Sequence, residues 1–95
     1  MDPPSHTEAV DDSRAVEQFR ALGDPVRWAI VRQLREATSS ARALAETVGI
    51  SPTLLSHHLK VLRQAGLIIG TRRGRWIDYT IDPNALIVLA GVLEA

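Results

Sequence analysis

With 95 residues, 45% of them hydrophobic, and a formal net charge of zero, the sequence has the size and composition of one small globular domain. It contains no cysteine, which excludes disulfide bonds and thiolate metal sites. No apolar run approaches the roughly 20 residues of a membrane-spanning helix, and the polar, acidic N-terminus is unlike a signal peptide. We therefore expect a cytoplasmic protein without a membrane segment.

The charges are distributed unevenly along the chain. Residues 1–13 carry four acidic side chains and no lysine or arginine. Residues 47–77 include no acidic side chain, and their basic residues are Lys60, Arg63, Arg72, Arg73 and Arg75. A basic half on a neutral chain is typical of a surface that binds nucleic acid. The alternative is a run of solvated charges without a partner.

The N-terminal part of the chain predicts a tail and then a helix. Residues 1–10 hold two prolines and few apolar side chains, so we expect a flexible tail before a folded domain at residues 11–95. A first helix is predicted to start at a capping side chain among residues 11–13 and to end at Gly23.

The second and third helices each follow a capping residue. Asp24 and Pro25 together predict the start of a helix that runs to about Ala37. After a loop, Ser40 is predicted to cap a third helix. This helix should end at Gly49, because glycine readily adopts the left-handed conformation of a tight turn.

A fourth helix is predicted from Ser51 and Pro52 to Ala65. One of its faces carries three residues that should pack inward, namely Leu55, Leu59 and Leu62. The opposite face carries hydrogen-bonding side chains and no acid, which suits a helix that reads base edges in the major groove. The predicted DNA-binding residues of this helix are Thr53, Ser56, His57, Lys60 and Gln64.

Two β-rich runs, residues 67–71 and 75–81, flank residues 72–74 and predict a hairpin, the wing that follows a helix-turn-helix. The alternation in the second strand predicts that its core-facing residues are Ile77, Tyr79 and Ile81. The wing residues predicted to contact phosphates or the flanking minor groove are Arg72, Arg73 and Arg75.

Asp82 and Pro83 predict the start of a last helix, in which residues 85–93 include no polar side chain. A surface helix of a monomer needs a polar face, so this helix predicts association, most simply as a two-fold homodimer in which the first helix packs beside it. The alternative is a helix buried within the monomer. The predicted interface residues are Phe19, Leu22, Leu86, Leu89, Val92 and Leu93.

These elements predict a mainly α, homodimeric winged helix-turn-helix fold and a sequence-specific, DNA-binding transcriptional regulator. A second class of function is a winged-helix module that binds protein and not DNA. Catalysis is not expected: Ser56 and His57 are neighbours on a helix and point about 100° apart, and no carboxylate lies near to orient the histidine. His58, at the edge of the leucine face, is predicted to be half-buried and structural.

The chain resembles the ArsR/SmtB family of bacterial regulators in residues 21–27 (ALGDPVR), 55–68 (LSHHLKVLRQAGLI) and 74–81 (GRWIDYTI). This resemblance covers roughly residues 12–95. It implies a homodimer held by its first and last helices, which binds a palindromic operator, usually as a repressor released by an effector. The family's groove-reading positions would be Pro52, Thr53, Ser56 and His57; Pro52 departs from the more usual polar residue.

Many members of that family sense metals, but their ligand sets are incomplete here. The thiolate site needs cysteines, and the other common site needs an aspartate and histidines along the last helix. Asp82 fits the aspartate, whereas Asn84 stands in place of a histidine. An alternative is a nickel- or zinc-responsive regulator with nitrogen and oxygen ligands. The candidate ligands are His6 with Asp2, Glu8 or Asp11.

Overall fold

The computed structural model describes residues 3–94, and their side chains from Ser13 onward. These residues form five helices and three short strands. In order they are α1 (Pro3–Leu22), α2 (Pro25–Glu36), β1 (Ser39–Ser40), α3 (Ala41–Val48), α4 (Pro52–Gln64), β2 (Ile68–Arg73), β3 (Trp76–Ile81) and α5 (Pro83–Glu94). The predicted winged helix-turn-helix order is confirmed, with β1 as an addition. No helix within residues 3–94 combines the length and apolarity needed to cross a bilayer.

Four helices begin at the predicted capping side chains. Asp24, Ser40, Ser51 and Asp82 each accept a backbone N–H from two or three residues further on, at N···O distances of 2.9–3.2 Å. These bonds satisfy N–H groups that have no partner inside the helix. The starts of α2, α3, α4 and α5 are therefore set by local sequence, as predicted.

The first helix begins earlier than predicted. It starts at Pro3, so the predicted start among residues 11–13 is wrong. Pro3 and Pro4 fit the first turn of a helix, where the missing N–H groups would have no intrahelical partner. Capping residues also tolerate a helix interior at a small cost in propensity. The flexibility of residues 1–10 stays a prediction.

The three strands form an antiparallel sheet in the order β1-β3-β2. Arg73 pairs with Trp76, so the hairpin loop consists of Gly74 and Arg75. Gly74 has a φ of 62°, the positive value that the first position of a type II′ turn requires. The loop predicted at residues 72–74 is therefore displaced, and Arg72 and Arg73 end β2 instead.

Strand β1 was predicted as a loop. Ser39 and Ser40 pair with Tyr79 and Asp78 of β3. A two-residue strand of serines has no periodicity and no β-branched side chain, so its sequence carries no strand signal. Its pairing depends on the position of β3, which is a tertiary effect.

The core lies where α2, α3 and α4 meet the inner end of the hairpin, and its fully buried side chains include Ile30, Leu44, Leu62 and Leu67. Tyr79 and Ile81 face this core as predicted, at 7% and 9% exposure. Ile77 was predicted to do the same but is 42% exposed. Ile77 lies on the same side of β3 as Tyr79 and Ile81, but the helices do not extend far enough along the strand to cover it.

Helix α5 packs one side on the core and leaves the other uncovered. Leu89 is 5% exposed, whereas Ile87 and Leu93 are 69% and 72% exposed. Among the predicted interface residues, Leu89 therefore offers almost no surface to a second molecule. Leu22, Leu86 and Val92 are partly buried, and Phe19 is 38% exposed.

Candidate nucleic-acid interface

A tight turn separates α3 from α4. Gly49 has a φ of 79°, and the N–H groups of Gly49 and Ile50 both donate to the carbonyl of Ala45, at 2.8 and 3.1 Å. Ser51 then caps α4 through the N–H of Leu54. The left-handed glycine and the cap together set the direction of α4 relative to α3.

The other end of α4 is fixed by a Schellman motif. The N–H of Leu67 donates to the carbonyl of Leu62, and that of Gly66 donates to Arg63, at 3.0 and 2.9 Å. Gly66 has a φ of 76°, and the guanidinium of Arg14 occupies the space that a Cβ would need. The positive φ is what favours glycine here, because the flexible Arg14 side chain could move away from a Cβ.

All five side chains predicted to read DNA on α4 are exposed. The opposite face holds Leu55, Leu59 and Leu62, at 1%, 3% and 0% exposure. Within residues 13–94 none of the five makes a side-chain hydrogen bond, so their donors and acceptors are free for a partner. These exposed residues are Thr53, Ser56, His57, Lys60 and Gln64.

The three wing arginines differ in their hydrogen-bond and ion-pair partners. Arg73 donates two hydrogen bonds to Asp78, from Nε to Oδ2 at 2.6 Å and from Nη2 to Oδ1 at 3.1 Å. The hydrogen bonds from Arg73, and then its charge, lower the pKa of the Asp78 carboxyl. The same hydrogen bonds and the charge of Asp78 raise the pKa of Arg73. Arg72 donates to the carbonyl of Gly74 at 3.2 Å. Arg75 has no ion pair with any carboxylate of residues 13–94.

Arg27 connects three helices, a role that the sequence did not reveal. Its Nε donates to the carbonyl of Ala21 at 2.7 Å, and its Nη1 lies 3.3 Å from Nδ1 of His58. A guanidinium has only donors, so any hydrogen bond in this contact has Nδ1 of His58 as its acceptor. His58 is half-buried, as predicted, and its structural role stays a prediction. The N–H of Arg27 is also the main cause of the lowered pKa of Asp24.

Gln18 is a second link that was missed. This residue of α1 is 4% exposed, and its Nε2 donates to the carbonyl of Ala65 at 3.0 Å. Its spacing of three residues from the buried Ala15 and Ala21 is the signal that could have placed it on the inner face. Helix α1 thus helps to fix the end of α4.

Among residues 13–94 no group of three histidine, cysteine, aspartate or glutamate side chains is close enough to hold an ion. Asp82, which fits a ligand position of the resembled family, caps α5 instead. The candidate ligands His6, Asp2, Glu8 and Asp11 lie outside the residues whose side chains the structure describes.

Comparisons with known proteins identify the same helix-turn-helix in this chain. A family model described as "Helix-turn-helix domain" matches residues 22–71. The transcriptional repressor SmtB of Mycobacterium tuberculosis is 42% identical over 83 residues, which cover 85% of this chain and 62% of SmtB. This chain therefore corresponds to about three fifths of the length of that relative.

Solved structures show the same fold. An ArsR-like transcriptional regulator from Rhodococcus has a TM-score of 0.80 at 33% identity, with 86% of this chain and 77% of that chain covered. The solution structure of the homodimeric winged helix-turn-helix DNA-binding domain of Mb0332 from Mycobacterium bovis has a TM-score of 0.76 at 21% identity. It covers 99% of this chain and 84% of that chain.

Proposed function

Since this chain belongs to the ArsR/SmtB family of winged helix-turn-helix regulators, we propose that it represses transcription by binding a palindromic operator as a homodimer. The observation that carries the proposal is the exposed, acid-free outer face of α4 between two fixed helix ends. We propose no catalytic role for Ser56 or His57.

The residues of α4 would divide into two roles. Thr53, Ser56 and His57, near the start of the helix, have hydrogen-bonding groups of a length that suits base edges in the major groove. Lys60 would contact phosphate, which adds affinity and salt dependence without sequence information. Gln64, at the end of α4, would contact the backbone or an outer base.

The homodimer would form through the outer faces of α1 and α5. The exposed large apolar residues of these two helices are Val16, Phe19, Ile87, Val88 and Leu93, which are 38–72% exposed. An uncovered apolar face of this kind favours association with a second copy about a two-fold axis. Two α4 helices would then read half-sites about one helical turn of DNA apart, roughly 34–36 Å. The homodimeric state of Mb0332 supports a homodimer.

A gel-shift series in rising salt tests the proposal. The chain should bind a duplex from its own promoter region more tightly than a shuffled duplex of equal length and composition. The logarithm of the binding constant should fall linearly with the logarithm of salt concentration. Failure to bind either duplex at low salt would contradict DNA binding, and equal affinity for both would contradict sequence-specific binding to that region.

A further inference from the structure

We propose that the groove between α3, the start of α4 and β3 binds an anionic aromatic small molecule, and that this molecule and DNA exclude each other. The regulatory half of this inference rests on the proposed function, because it assumes that α4 and the wing contact DNA.

The groove has the size and lining of a ligand site. Its volume is about 710 Å³, within the range of roughly 300–1,000 Å³ typical of small-molecule sites. Its walls include Ala45 of α3, Ile50 of the turn and Leu55 of α4. Strand β3 contributes Trp76, Ile77 and Tyr79. Three other grooves on residues 13–94 have volumes of about 260–460 Å³.

Two large apolar side chains in this groove are left open to solvent. Trp76 is 46% exposed and Ile77 is 42% exposed, although both belong to the central strand of the sheet. Both residues lie at the loop end of the hairpin, beyond the part of β3 that the helices cover, and β1 pairs only with Tyr79 and Asp78. An aromatic ligand that packed between Trp76 and the helices would remove this apolar surface from water.

The charge of the groove favours an anion. Arg42 is paired with Glu46 at 3.5 Å, one turn away on α3. Arg75 also lines the groove and has no ion pair within residues 13–94. The groove therefore presents one unpaired guanidinium beside apolar walls. A ring system with a carboxylate or sulfonate would satisfy both features.

The same side chains are proposed to contact DNA. Ser56 of α4 and Arg75 of the wing both line the groove. A molecule that covered Ser56 and neutralised Arg75 would remove one proposed DNA contact of α4 and one of the wing. By linkage, DNA should weaken the binding of the molecule by the same factor.

The probe for a first test is 8-anilinonaphthalene-1-sulfonate (ANS), added to the full chain without DNA. In the Trp28→Phe variant, Trp76 is the single tryptophan, so its quenching should follow the rise of ANS emission with the same midpoint. Ile77→Glu should weaken ANS binding about tenfold, through lost apolar contact and repulsion of the sulfonate. Ile69→Glu is the matched control, since Ile69 is 44% exposed and lies outside the groove.

The outcomes of this test are distinct. A large loss for Ile77→Glu with little change for Ile69→Glu supports the groove. Equal effects of the two variants, or ANS emission without quenching of Trp76, would place the probe on another apolar surface and overturn the proposal. Near-ultraviolet circular dichroism shows that each variant is folded before it is titrated.

The requirement for an anion has its own control. Arg75→Gln should weaken ANS several-fold but leave the neutral analogue N-phenyl-1-naphthylamine unchanged. Equal losses for the two probes would contradict the role assigned to Arg75.

Competition with DNA is measured last. Operator duplex should displace ANS, whereas bound ANS that persists at saturating duplex would overturn mutual exclusion. ANS binding in the groove by a chain that binds no DNA would contradict the proposed function and the regulatory role together, and would leave the ligand site supported.

Discussion

Helices α4 and α5 have nearly the same length, 13 and 12 residues, and both seat leucines in one core. Their outer faces differ. The outer face of α4 carries hydroxyl, imidazole, ammonium and amide groups with Leu54 as its exposed large apolar residue, whereas α5 exposes Ile87, Val88 and Leu93. One core thus supports two surfaces that suit two kinds of partner.

The physical reason lies in desolvation. Burying the polar face of α4 costs free energy unless each group finds a hydrogen-bond partner, which base edges and phosphates can supply. The apolar face of α5 gains free energy from any complementary apolar surface, by about 25 cal/mol for each Å² removed from water. Both helices are held by buried leucines, and it is their exposed residues that would determine which partner each helix binds.

The largest expected effect tests whether buried leucines hold both α4 and α5 on the core. Leu62→Ala and Leu89→Ala should each lower the free energy of unfolding by about 2–5 kcal/mol, because both side chains are buried and would leave cavities. Leu54→Ala, on the exposed side of α4, should change it by less than about 1 kcal/mol. Denaturant unfolding measures all three, and an unaltered Leu89→Ala midpoint would show that α5 is not packed on the monomer.

The next effect tests the outer face of α5. Ile87→Glu should raise the dimer dissociation constant about a hundredfold or more, because a two-fold interface places the new charge in an apolar contact twice. Sedimentation equilibrium measures this change. Ile69→Glu, on β2, should leave the dimer intact. A dimer that survives Ile87→Glu would mean that the apolar face of α5 is not the interface.

The distinction between these two predictions was not available from the sequence. Residues 85–93 are apolar at every position, so periodicity cannot separate the buried Leu89 from the exposed Leu93. Only the packing of α5 against the rest of the chain decides which side is covered. This is why the predicted interface mixed buried and exposed residues.

Elsewhere the sequence was more informative. Caps such as Ser40 and Ser51 act within three residues, and the leucine spacing of α4 settles which of its faces looks outward. The contact between Arg27 and His58 joins residues 31 positions apart, and local patterns do not encode such pairs. The groove beside Ile77 was missed for the same reason, since it depends on where the helices stop covering β3.

A third prediction separates the two roles proposed on α4. His57→Ala should weaken operator binding by about 1–3 kcal/mol and leave binding to shuffled DNA nearly unchanged, if His57 reads a base. Lys60→Ala should weaken binding to both and reduce the salt slope by about one unit. Fluorescence anisotropy with both duplexes measures the difference. Equal losses of His57→Ala on the two duplexes would assign His57 to phosphate.

A smaller effect distinguishes the wing arginines. Arg75→Ala should reduce the salt slope more than Arg73→Ala, because Arg73 is already paired with Asp78 while Arg75 is not paired within residues 13–94. Asp78→Asn should release Arg73 and strengthen binding to all DNA. If Arg73→Ala has the larger effect on the slope, the ion pair must open when DNA binds.

The smallest effect concerns the pH dependence of stability. The Arg73 guanidinium lowers the pKa of Asp78, so the folded state favours the ionised carboxylate. The stabilisation is present at pH values above the ordinary aspartate pKa of about 4 and is lost as the pH falls through the lowered pKa of the folded state. Asp78→Asn removes this contribution, so the melting temperature of this variant should fall less than that of the unaltered chain between pH 7 and pH 2.

The contribution of Asp24 has the same sign but is present in both proteins, and it cancels in the comparison. Equal falls would show that the wing ion pair orients Arg73 without stabilising the fold. In that case the Arg73–Asp78 pair, like the outer face of α4, would serve binding to a partner and not the stability of the fold.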